Sequence, residues 1–306
     1  AKGLLCDLYP LLEADPELSR EDFFPNVLQS LEVNGGLYGT CSSFQINTVM
    51  GATKVVGEEP GWTYADFDAA LASMPEGCQP FDVYTTRDVI LQNCLALDLD
   101  SFVDWASGQC RFDSGEFIQL LQFANRFPAE FDWEKHDWNS EPSTEEKLAS
   151  GQQMLLQMSL YNFTDIFYMG QYFGGDFTFI GYPTAEGTGN MFYLEGGYAM
   201  SADCPNKQAA WEFIRSFLTE DFQKGIYAMP LNVKVYEQKL SELRQPQYRK
   251  DAEGNYLLDE NGERIPIAIG GSMTATTQAT VVYTPSSSAP ALKSIQFPLR
   301  VNRSVF

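Results

Sequence analysis

Short apolar segments with strand character alternate with capped, amphipathic helix patterns along this chain. This alternation limits the folds open to the chain more than any other feature. Strands are predicted at 37–41, 44–49, 153–158, 177–181 and 197–201, each short, apolar and bounded by Gly, Pro or Asn. Such an alternation predicts an α/β fold with at least partly parallel sheets.

Four helix starts are marked by capping or first-turn residues. The segments 63–66 and 143–146 have the spacing of capping boxes, and a third helix follows 113–116. The longest helix is predicted to begin at Pro205, because apolar residues follow it at i, i+3, i+4, i+7 and i+8 spacing. Gly151 predicts a left-handed end for the helix that starts at 143–146.

The chain length and its late segments set the domain organisation. At roughly 150 residues per domain, 306 residues indicate about two domains. The dipeptide Asn261-Gly262 is a hairpin-turn signal, so 251–269 is predicted to form a surface hairpin. The segment 284–290, rich in Ser and Pro, predicts a polar loop.

The acidic charge balance excludes two classes of partner. The chain has 20 Lys and Arg against 41 Asp and Glu, a net charge of −21, so the phosphates of nucleic acids and anionic membrane surfaces repel it. No apolar run reaches the roughly 18 residues that a membrane span needs. We therefore predict a globular protein without a nucleic-acid partner.

Cysteine and histidine usage excludes most metal chemistry. The chain has six widely spaced cysteines: Cys6, Cys41, Cys78, Cys94, Cys110 and Cys204. None forms a C-x-x-C pair, and both disulfides and buried free thiols fit their spacing. His136 is the single histidine, so a multi-histidine metal site cannot be built. We predict no metal and no cofactor.

The sequence has no recognisable catalytic motif: it contains no Walker loop, no H-E-x-x-H and no G-x-S-x-G. The segment 187–192 lacks the third glycine of a dinucleotide fingerprint, so a flexible loop is the better interpretation. Among 41 acidic residues some carboxylate pair suited to glycoside hydrolysis arises by chance. We predict no catalytic residues, and a carboxylate-based glycosidase is kept as an alternative.

Aromatic residues are the feature that indicates a ligand. A pyranose ring presents C–H groups that stack on an aromatic ring, and its hydroxyls bind convergent polar side chains. Tyr161 follows the predicted strand 153–158, while Phe192 and Tyr193 lie in a glycine-rich loop before 197–201. Because open α/β sheets bind ligands at strand ends, these three residues are predicted ligand contacts.

Five sequence motifs occur in the order found in a known family. They are G-L-Y-G at 36–39, P-G-W-T at 60–63, F-D-S-G-E-F at 112–117, A-S-G-Q-Q-M-L-L at 149–156, and the block 180–213 with its G-Y-P, G-x-G, G-G-Y-A-M-S and N-K-x-A-A-W-E-F elements. Together they resemble the family 1 extracellular solute-binding proteins, the sugar-capturing components of bacterial ABC importers.

The resemblance implies a periplasmic-binding-protein-like type II fold, with two α/β lobes joined by hinge crossovers. Lobe one would comprise 1–52 and 198–245, and lobe two would comprise 53–197 and 246–306. Family members usually begin with a lipoprotein signal and further strands of the first lobe ahead of the segment that starts here at Ala1. The first lobe is therefore expected to be incomplete.

The resemblance also implies binding without catalysis. The chain would be a carbohydrate receptor that closes about its hinge around a sugar or oligosaccharide and delivers it to an ABC importer permease. It would act outside the cell, as a monomer, either anchored by a lipid that this chain does not carry or in the periplasm. A remnant that has lost its ligand is the second alternative to this function.

By position in the resemblance, both lobes contribute side chains that can donate hydrogen bonds or stack on a ligand. The expected ligand contacts are Ser42, Ser43 and Phe44 from lobe one, and Thr86, Arg87, Tyr161, Phe192 and Tyr193 from lobe two.

Overall fold

The computed structural model describes residues 3–105, 107–243, 248–249, 251, 253–259, 261–265 and 299–301. The helices are α1 (Tyr9–Glu13), α2 (Pro25–Leu31), α3 (Thr53–Val56), α4 (Tyr64–Ala72), α5 (Arg87–Phe102), α6 (Gly115–Ala124), α7 (Thr144–Ser150), α8 (Phe163–Gln171), α9 (Lys207–Ser216), α10 (Glu220–Gly225) and α11 (Val233–Leu243). The strands are β1 (Glu32–Val33), β2 (Gly36–Leu37), β3 (Ser43–Ala52), β4 (Val103–Asp104), β5 (Gln109–Cys110), β6 (Leu155–Leu160), β7 (Phe177–Phe179), β8 (Asn190–Glu195), β9 (Met229–Pro230) and β10 (Leu299–Val301).

Strand β3 is the hub of the main sheet. It pairs antiparallel with β6 and β8, and shorter antiparallel contacts join it to β7 and β9. The strand order is β10–β8–β3–β6, and β10 runs parallel to β8. Among the strands that the structure describes, β8 and β10 form the one parallel pair, because the alternation of helices and strands sets the layers and leaves strand direction open.

The alternation of side chains along β3 separates two hydrophobic cores, one on each face of the sheet. Phe44, Ile46 and Met50 point into the first core, which packs against α1, α2, α8, α9 and α11. Val49 points into the second core, which α4, α5 and α6 cover. The sheet is thus the middle layer between two helical layers. The lobe boundaries at 52, 197 and 245 stay a prediction.

The four predicted helices are confirmed as α4, α6, α7 and α9. Thr63 and Ser143 form the N-terminal capping boxes of α4 and α7, and Gly151 ends α7 in the left-handed conformation. Ser114 caps α6 through the backbone N–H of Phe117. The start of α9 differs: Asn206 is its cap and Pro205 lies outside it, because the Asn206 side chain accepts from the backbone N–H of Ala209.

The longest helix, α5, was not predicted. Its buried residues Ile90, Cys94, Leu97, Asp98 and Phe102 have helical spacing. A cysteine and an aspartate on that buried face weaken the apolar pattern that would have marked the helix. Helices α8 and α11 were also not predicted.

Three predicted strands exist, and two do not. Segments 44–49, 153–158 and 177–181 correspond to β3, β6 and β7. Segment 37–41 contributes only Leu37 to a strand, β2, and a single isolated bridge joins Thr40 to Tyr198 of segment 197–201. Strand β8 occupies a stretch that the glycines before it had marked as a loop.

In the segment predicted as a hairpin, the backbone N–H of Asp259 donates to the carbonyl of Glu263, and Leu258 forms an antiparallel bridge with Arg264. Residues 266–269 and the predicted loop 284–290 lie outside the described residues. All six cysteines are free thiols. No helix of the described chain has the length and apolar character to cross a membrane.

A partly buried ion pair joins the loop after α1 to helix α9. Asp15 accepts hydrogen bonds from Nε of Arg215 at 2.7 Å and from Nε1 of Trp211 at 3.0 Å, and it accepts from two backbone N–H groups of its own loop. Burial alone would raise the pKa of Asp15, but these hydrogen bonds outweigh burial and lower it to about 2. The Asp15 carboxylate thus links the loop after α1 to α9 by strong hydrogen bonds and an ion pair across the first core.

Replacing Asp15 with asparagine tests this tie. Because the folded pKa lies below the usual 3.8, the ion pair adds stability above that value, and this stability is lost as the pH falls towards 2. Asp15→Asn is expected to lower the free energy of unfolding by about 2 kcal/mol at pH 7 and to differ little from the parent near pH 2. Urea unfolding at both pH values measures the change.

Asp68→Asn serves as the matched control, because Asp68 pairs with Arg126 at the surface with both side chains exposed. Exposed pairs contribute roughly 0–1 kcal/mol. Equal losses in the two variants would contradict the role given to Asp15.

Two glycine contacts fix the crossing between the entry to α4 and the segment that leads into β8. A Cβ atom on Gly61 would lie 2.1 Å from the carbonyl oxygen of Gly187, and one on Gly181 would lie 2.0 Å from that of Gly189. Gly61 also has a φ of +91° and donates its N–H to Ile180. No other residue can occupy these crossing positions without moving the backbone.

Gly61→Ala and Gly57→Ala separate two destabilising effects of an added Cβ atom, backbone strain at positive φ and a steric clash with the neighbouring backbone. Gly57 has a similar φ of +89°, but there is open space where its Cβ atom would lie. Gly57→Ala should therefore show only backbone strain of about 1–3 kcal/mol, while Gly61→Ala adds a backbone clash and should be more destabilising or fail to fold. Chemical denaturation of both variants is the measurement, and equal losses would contradict the tight crossing.

Candidate functional site

One face of the main sheet changes from apolar to polar along its length. Near one end, Val49, Leu155 and Met191 are buried in the second core. Towards the other end, the same strands carry polar and aromatic side chains that are half-buried or exposed. We call this polar part the open face; it consists of Gln45, Asn47, Gln157, Ser159, Tyr161, Tyr193 and Glu195.

Strand register places these side chains in rows. Gln45 pairs with Tyr193 of β8, and Tyr161 follows the last paired residue of β6, Leu160, which faces Ile46. Gln45 therefore has Tyr193 as its direct cross-strand neighbour, and Tyr161 lies just past the paired end of β6, where β9 takes over the pairing with β3. In the next row, Asn47 lies between Met191 and Ser159 and accepts a hydrogen bond from the Ser159 hydroxyl.

Gln157 is held at the border between the open face and the second core. Its Oε1 accepts a hydrogen bond from the Thr85 hydroxyl at 2.8 Å, and its Nε2 donates to the Tyr182 hydroxyl at 3.0 Å. Burial raises the pKa of Tyr182, so this phenol stays neutral. The loop before α5 is thereby joined to β6 through a buried threonine.

Tyr161 is the most exposed ring of the open face, with 39% of its surface accessible. Its backbone is fixed, because its N–H donates to Asp165 and its carbonyl accepts from Met229. The neighbouring Asn162 caps α8 in a capping box with the same Asp165. The ring of Tyr227 lies 6.3 Å from that of Tyr161 and extends the exposed aromatic surface.

The open face is polar without being strongly charged. It offers carboxamides, a hydroxyl and phenols, and Glu195 at its end is the one carboxylate among its members. Gln45, Tyr161 and Tyr193 make no side-chain hydrogen bond within the described part of the chain. Their polar groups are thus available to a neutral ligand that carries many hydroxyls.

The structure brings together some of the residues predicted from the sequence. Tyr161 and Tyr193 share the open face, and buried Ser43 lies on the same face at the start of β3. Ser42 precedes it, with its hydroxyl directed at the carbonyl of Glu195. These placements are geometric, and the role of each residue in binding stays a prediction.

Thr86 and Arg87 lie at the start of α5 and are already engaged. The Thr86 hydroxyl donates to Asp88, and the Arg87 guanidinium donates to Asn125 at 2.9 Å. The hydroxyl that reaches the open face belongs instead to the preceding residue, Thr85. The predicted residues Thr86 and Arg87 thus immediately follow Thr85, the residue that contacts the open face.

Phe44 and Phe192 lie on the opposite face of the sheet from the open face, and their role as ligand contacts stays a prediction. Phe192 pairs with Ile46, and both phenylalanines are buried in the first core with ring centroids 6.2 Å apart. Phe192 belongs to β8 rather than to a loop, and a shift of one residue along a strand moves the side chain to the other face.

Sequence reasoning missed Gln45, Asn47, Gln157 and Ser159. The available signal was the alternation of apolar and polar residues in each strand. Gln45 and Asn47 alternate with Phe44 and Ile46, and Ser159 immediately precedes Leu160. In the described residues, no group of three or more His, Cys, Asp or Glu side chains could hold a metal ion.

Comparison with known proteins gives one family match and many structural likenesses. The family model described as bacterial extracellular solute-binding protein matches residues 1–237. A comparison with curated proteins finds no match.

Among solved structures, the sugar-binding protein MalE from Xanthomonas citri matches with a TM-score of 0.51 at 14% identity, over 76% of this chain and 62% of that chain. An ABC transporter solute-binding protein from Thermotoga lettingae, bound with α-D-tagatose, matches with a TM-score of 0.49 at 15% identity, over 78% of this chain and 65% of that chain. An ABC substrate-binding protein from Listeria monocytogenes, in complex with cycloalternan, matches with a TM-score of 0.48 at 17% identity over the same shares.

The chain spans less than two thirds of the length of each of these three structures. The likeness to the Xanthomonas structure shows a shared fold, and it confirms the predicted α/β, periplasmic-binding-protein-like type II fold class.

Proposed function

The chain belongs to the family of bacterial extracellular solute-binding proteins, as its motifs predicted, and from this membership we propose that it captures a sugar or oligosaccharide on the open face. The bound solute then passes to the permease of an ABC importer. The protein acts as a monomer outside the cytoplasmic membrane, either lipid-anchored or in the periplasm.

One observation carries the proposal: two tyrosine rings and an uncommitted carboxamide lie on the open face. Tyr193 offers a stacking surface beside Gln45, whose amide can both donate to and accept from a hydroxyl, and Tyr161 offers a second, more exposed ring. Asn47 and Ser159 continue the polar surface along the sheet. The shared fold with a protein described as sugar-binding supports the same assignment.

The charge of the open face favours a neutral solute. An amino acid or an oxyanion needs an opposite charge in its site, and a polyamine needs several carboxylates. The open face has no Lys or Arg, and its one carboxylate, Glu195, lies at its end. A neutral polyhydroxylated ligand carries no charge that the open face would have to pair.

The proposed mechanism is a hinge motion that closes the protein around the bound solute. Strand β3 runs between the two cores, and the open face receives side chains from β3, β6 and β8. A solute that contacts both sides of a hinge stabilises the closed state by its differential affinity, and a permease can then distinguish loaded from empty receptor.

We propose binding without hydrolysis. Glycoside hydrolysis needs two carboxyl groups across the scissile bond, roughly 5–9.5 Å apart. Within the described residues of the open face, Glu195 is the one such group. A sugar that binds and is recovered unchanged is the expected result, and release of a smaller sugar from an oligosaccharide would contradict it.

A thermal-shift screen tests the proposed function. The probes are glucose, xylose and N-acetylglucosamine, each with its tetrasaccharide, together with amino acids and polyamines. A ligand at 100 times its Kd adds about 2.7 kcal/mol to stability, which raises Tm by several degrees. A rise with one sugar series supports the proposal; a rise with charged solutes only, or none with any sugar, contradicts it.

Tyr161→Ala is expected to weaken sugar binding by about tenfold, because the variant loses the most exposed stacking ring of the open face. Tyr161→Phe keeps the ring and should bind nearly as the parent does. Isothermal titration with the sugar found in the screen measures both affinities.

Tyr256→Ala is the matched control. Tyr256 is 41% exposed, close to the 39% of Tyr161, but its ring contacts Tyr248 and Arg264, which are not members of the open face. Equal losses of affinity in Tyr161→Ala and Tyr256→Ala would contradict the placement of the site.

A further inference from the structure

Three large aromatic rings form an exposed cluster where the loop before α5 meets the segment 131–138. The ring centroid of Trp133 lies 5.5 Å from that of Tyr84 and 5.7 Å from that of Trp138. Tyr84 and Trp138 are 6.4 Å apart. Phe131 meets all three rings edge-on, at 4.9 to 6.3 Å. We call Tyr84, Trp133 and Trp138 the aromatic platform.

The aromatic platform is open to solvent. Tyr84 is 39% exposed, Trp133 59% and Trp138 46%. Single exposed aromatic residues are ordinary, but three in mutual contact form a continuous apolar surface, and such surfaces mark ligand or partner sites. The charges beside the platform and the angles between its rings indicate which occupant fits.

Buried and half-buried polar contacts hold the platform in place. Asp82 accepts hydrogen bonds from the Tyr84 phenol and from the ammonium group of Lys147, the latter at 2.9 Å. Lys147 also donates to Glu141, and Nε2 of His136 lies 2.9 Å from the same carboxylate. The imidazole packs edge-on against the platform at 4.5 Å. The rings are thus positioned before any partner arrives, which reduces the entropy lost on binding.

The platform lies in an acidic stretch of the chain. Segment 130–138 carries four exposed carboxylates and one lysine, a net charge of −3 with a neutral histidine. The lysine, Lys135, pairs with Asp132 at 2.6 Å, so it does not cover the rings. A positively charged partner is therefore the one that complements both the carboxylates and the aromatic faces. The four carboxylates are those of Glu130, Asp132, Glu134 and Asp137.

The angles between the rings favour a flat cation. The interplanar angles are 29°, 20° and 44°, so the three faces point in similar directions and do not form a box around a compact ammonium group. A planar guanidinium stacks on an open face of this kind. The chain shows such a contact elsewhere, since the guanidinium of Arg264 lies 4.1 Å from the ring centroid of Tyr256.

The spacing of the rings fits an extended chain. Alternate residues of an extended segment point to the same side and are about 7 Å apart. The ring centroids of the platform are 5.5 to 6.4 Å apart. Two arginines at alternate positions can therefore each stack on a separate ring.

We propose that the aromatic platform docks an extended segment of a partner protein that carries arginines at alternate positions. Their guanidinium groups stack on neighbouring rings and donate hydrogen bonds to the exposed carboxylates of segment 130–138. This inference goes beyond sugar capture and does not depend on it.

The probe is a heptapeptide in which arginine alternates with glycine, titrated by calorimetry against the whole chain. Its counterpart replaces each arginine with lysine and has the same charge. The titration is made at about 0.15 M salt, because salt screens the general attraction of cations to a chain of net charge −21. The arginine peptide is expected to bind at least about threefold more tightly than the lysine peptide. Equal affinities, or no binding, would overturn the inference.

Substitutions in the platform test the role of the rings. Trp133→Ala and Trp138→Ala should each lower the affinity for the arginine peptide about two- to fivefold. Trp133→Leu keeps an apolar side chain but has no aromatic face, so it should lose as much as Trp133→Ala. Full affinity in Trp133→Leu would show that apolar contact alone suffices, and would overturn the guanidinium stacking.

Trp105→Ala is the matched control for the rings. Trp105 is 51% exposed, and its indole donates to Asp100 of α5, outside the platform. Its affinity for the arginine peptide should equal that of the parent. A loss as large as that of Trp133→Ala would contradict the placement of the site.

A pair of double variants tests the carboxylates. Glu130→Gln with Glu134→Gln should weaken the arginine peptide, because both carboxylates adjoin the platform residues in sequence and are exposed. Glu58→Gln with Glu59→Gln changes the net charge by the same amount at another exposed loop and should leave affinity unchanged. Equal losses would show attraction to the whole acidic surface and would overturn the inference.

Two further measurements complete the test. A circular-dichroism melt confirms that each variant is folded before titration, and the thermal shift of each platform variant with sugar should match that of the parent. Failure of the inference therefore leaves the proposed function standing, and the reverse also holds. Self-association of the free protein that is lost in Trp133→Ala would show that a second copy occupies the platform, and would overturn the inference.

Discussion

The pairing of β3 with its neighbours is the constraint on which the rest of this structure depends. Four strands pair antiparallel with this one segment, so its register decides which side chains face each core. Phe44 and Ile46 secure that register by burial in the first core. The intervening Gln45 and Asn47 are thereby turned to the other face, at the point where the second core ends.

The border between the second core and the open face depends on a contact between distant segments. Thr85, in the loop before α5, donates to Gln157 of β6 and so fixes that loop beside the sheet. In the proposed function, the sheet gives the sugar ring its orientation.

The sequence predicted the layers, the family and four helices, because caps and apolar periodicity are local signals. It predicted Tyr161 and Tyr193 as neighbours of one site but placed Phe192 with them, since the glycines before β8 suggested a loop and concealed the alternation. Strand direction and the Thr85 contact could not be predicted, because both depend on pairing between segments far apart in the chain. The ring contact between Tyr84 and Trp133 likewise joins segments nearly fifty residues apart, and no local pattern encodes it.

Central to the proposed function is a sugar ring bound on the open face between Tyr161 and Tyr193. A crystal structure of the chain with the sugar that gives the largest thermal shift tests this placement most directly. We expect a pyranose ring stacked on Tyr161, with its hydroxyls within hydrogen-bond distance of the Gln45 carboxamide. A sugar bound elsewhere, with the open face occupied only by water, would contradict it.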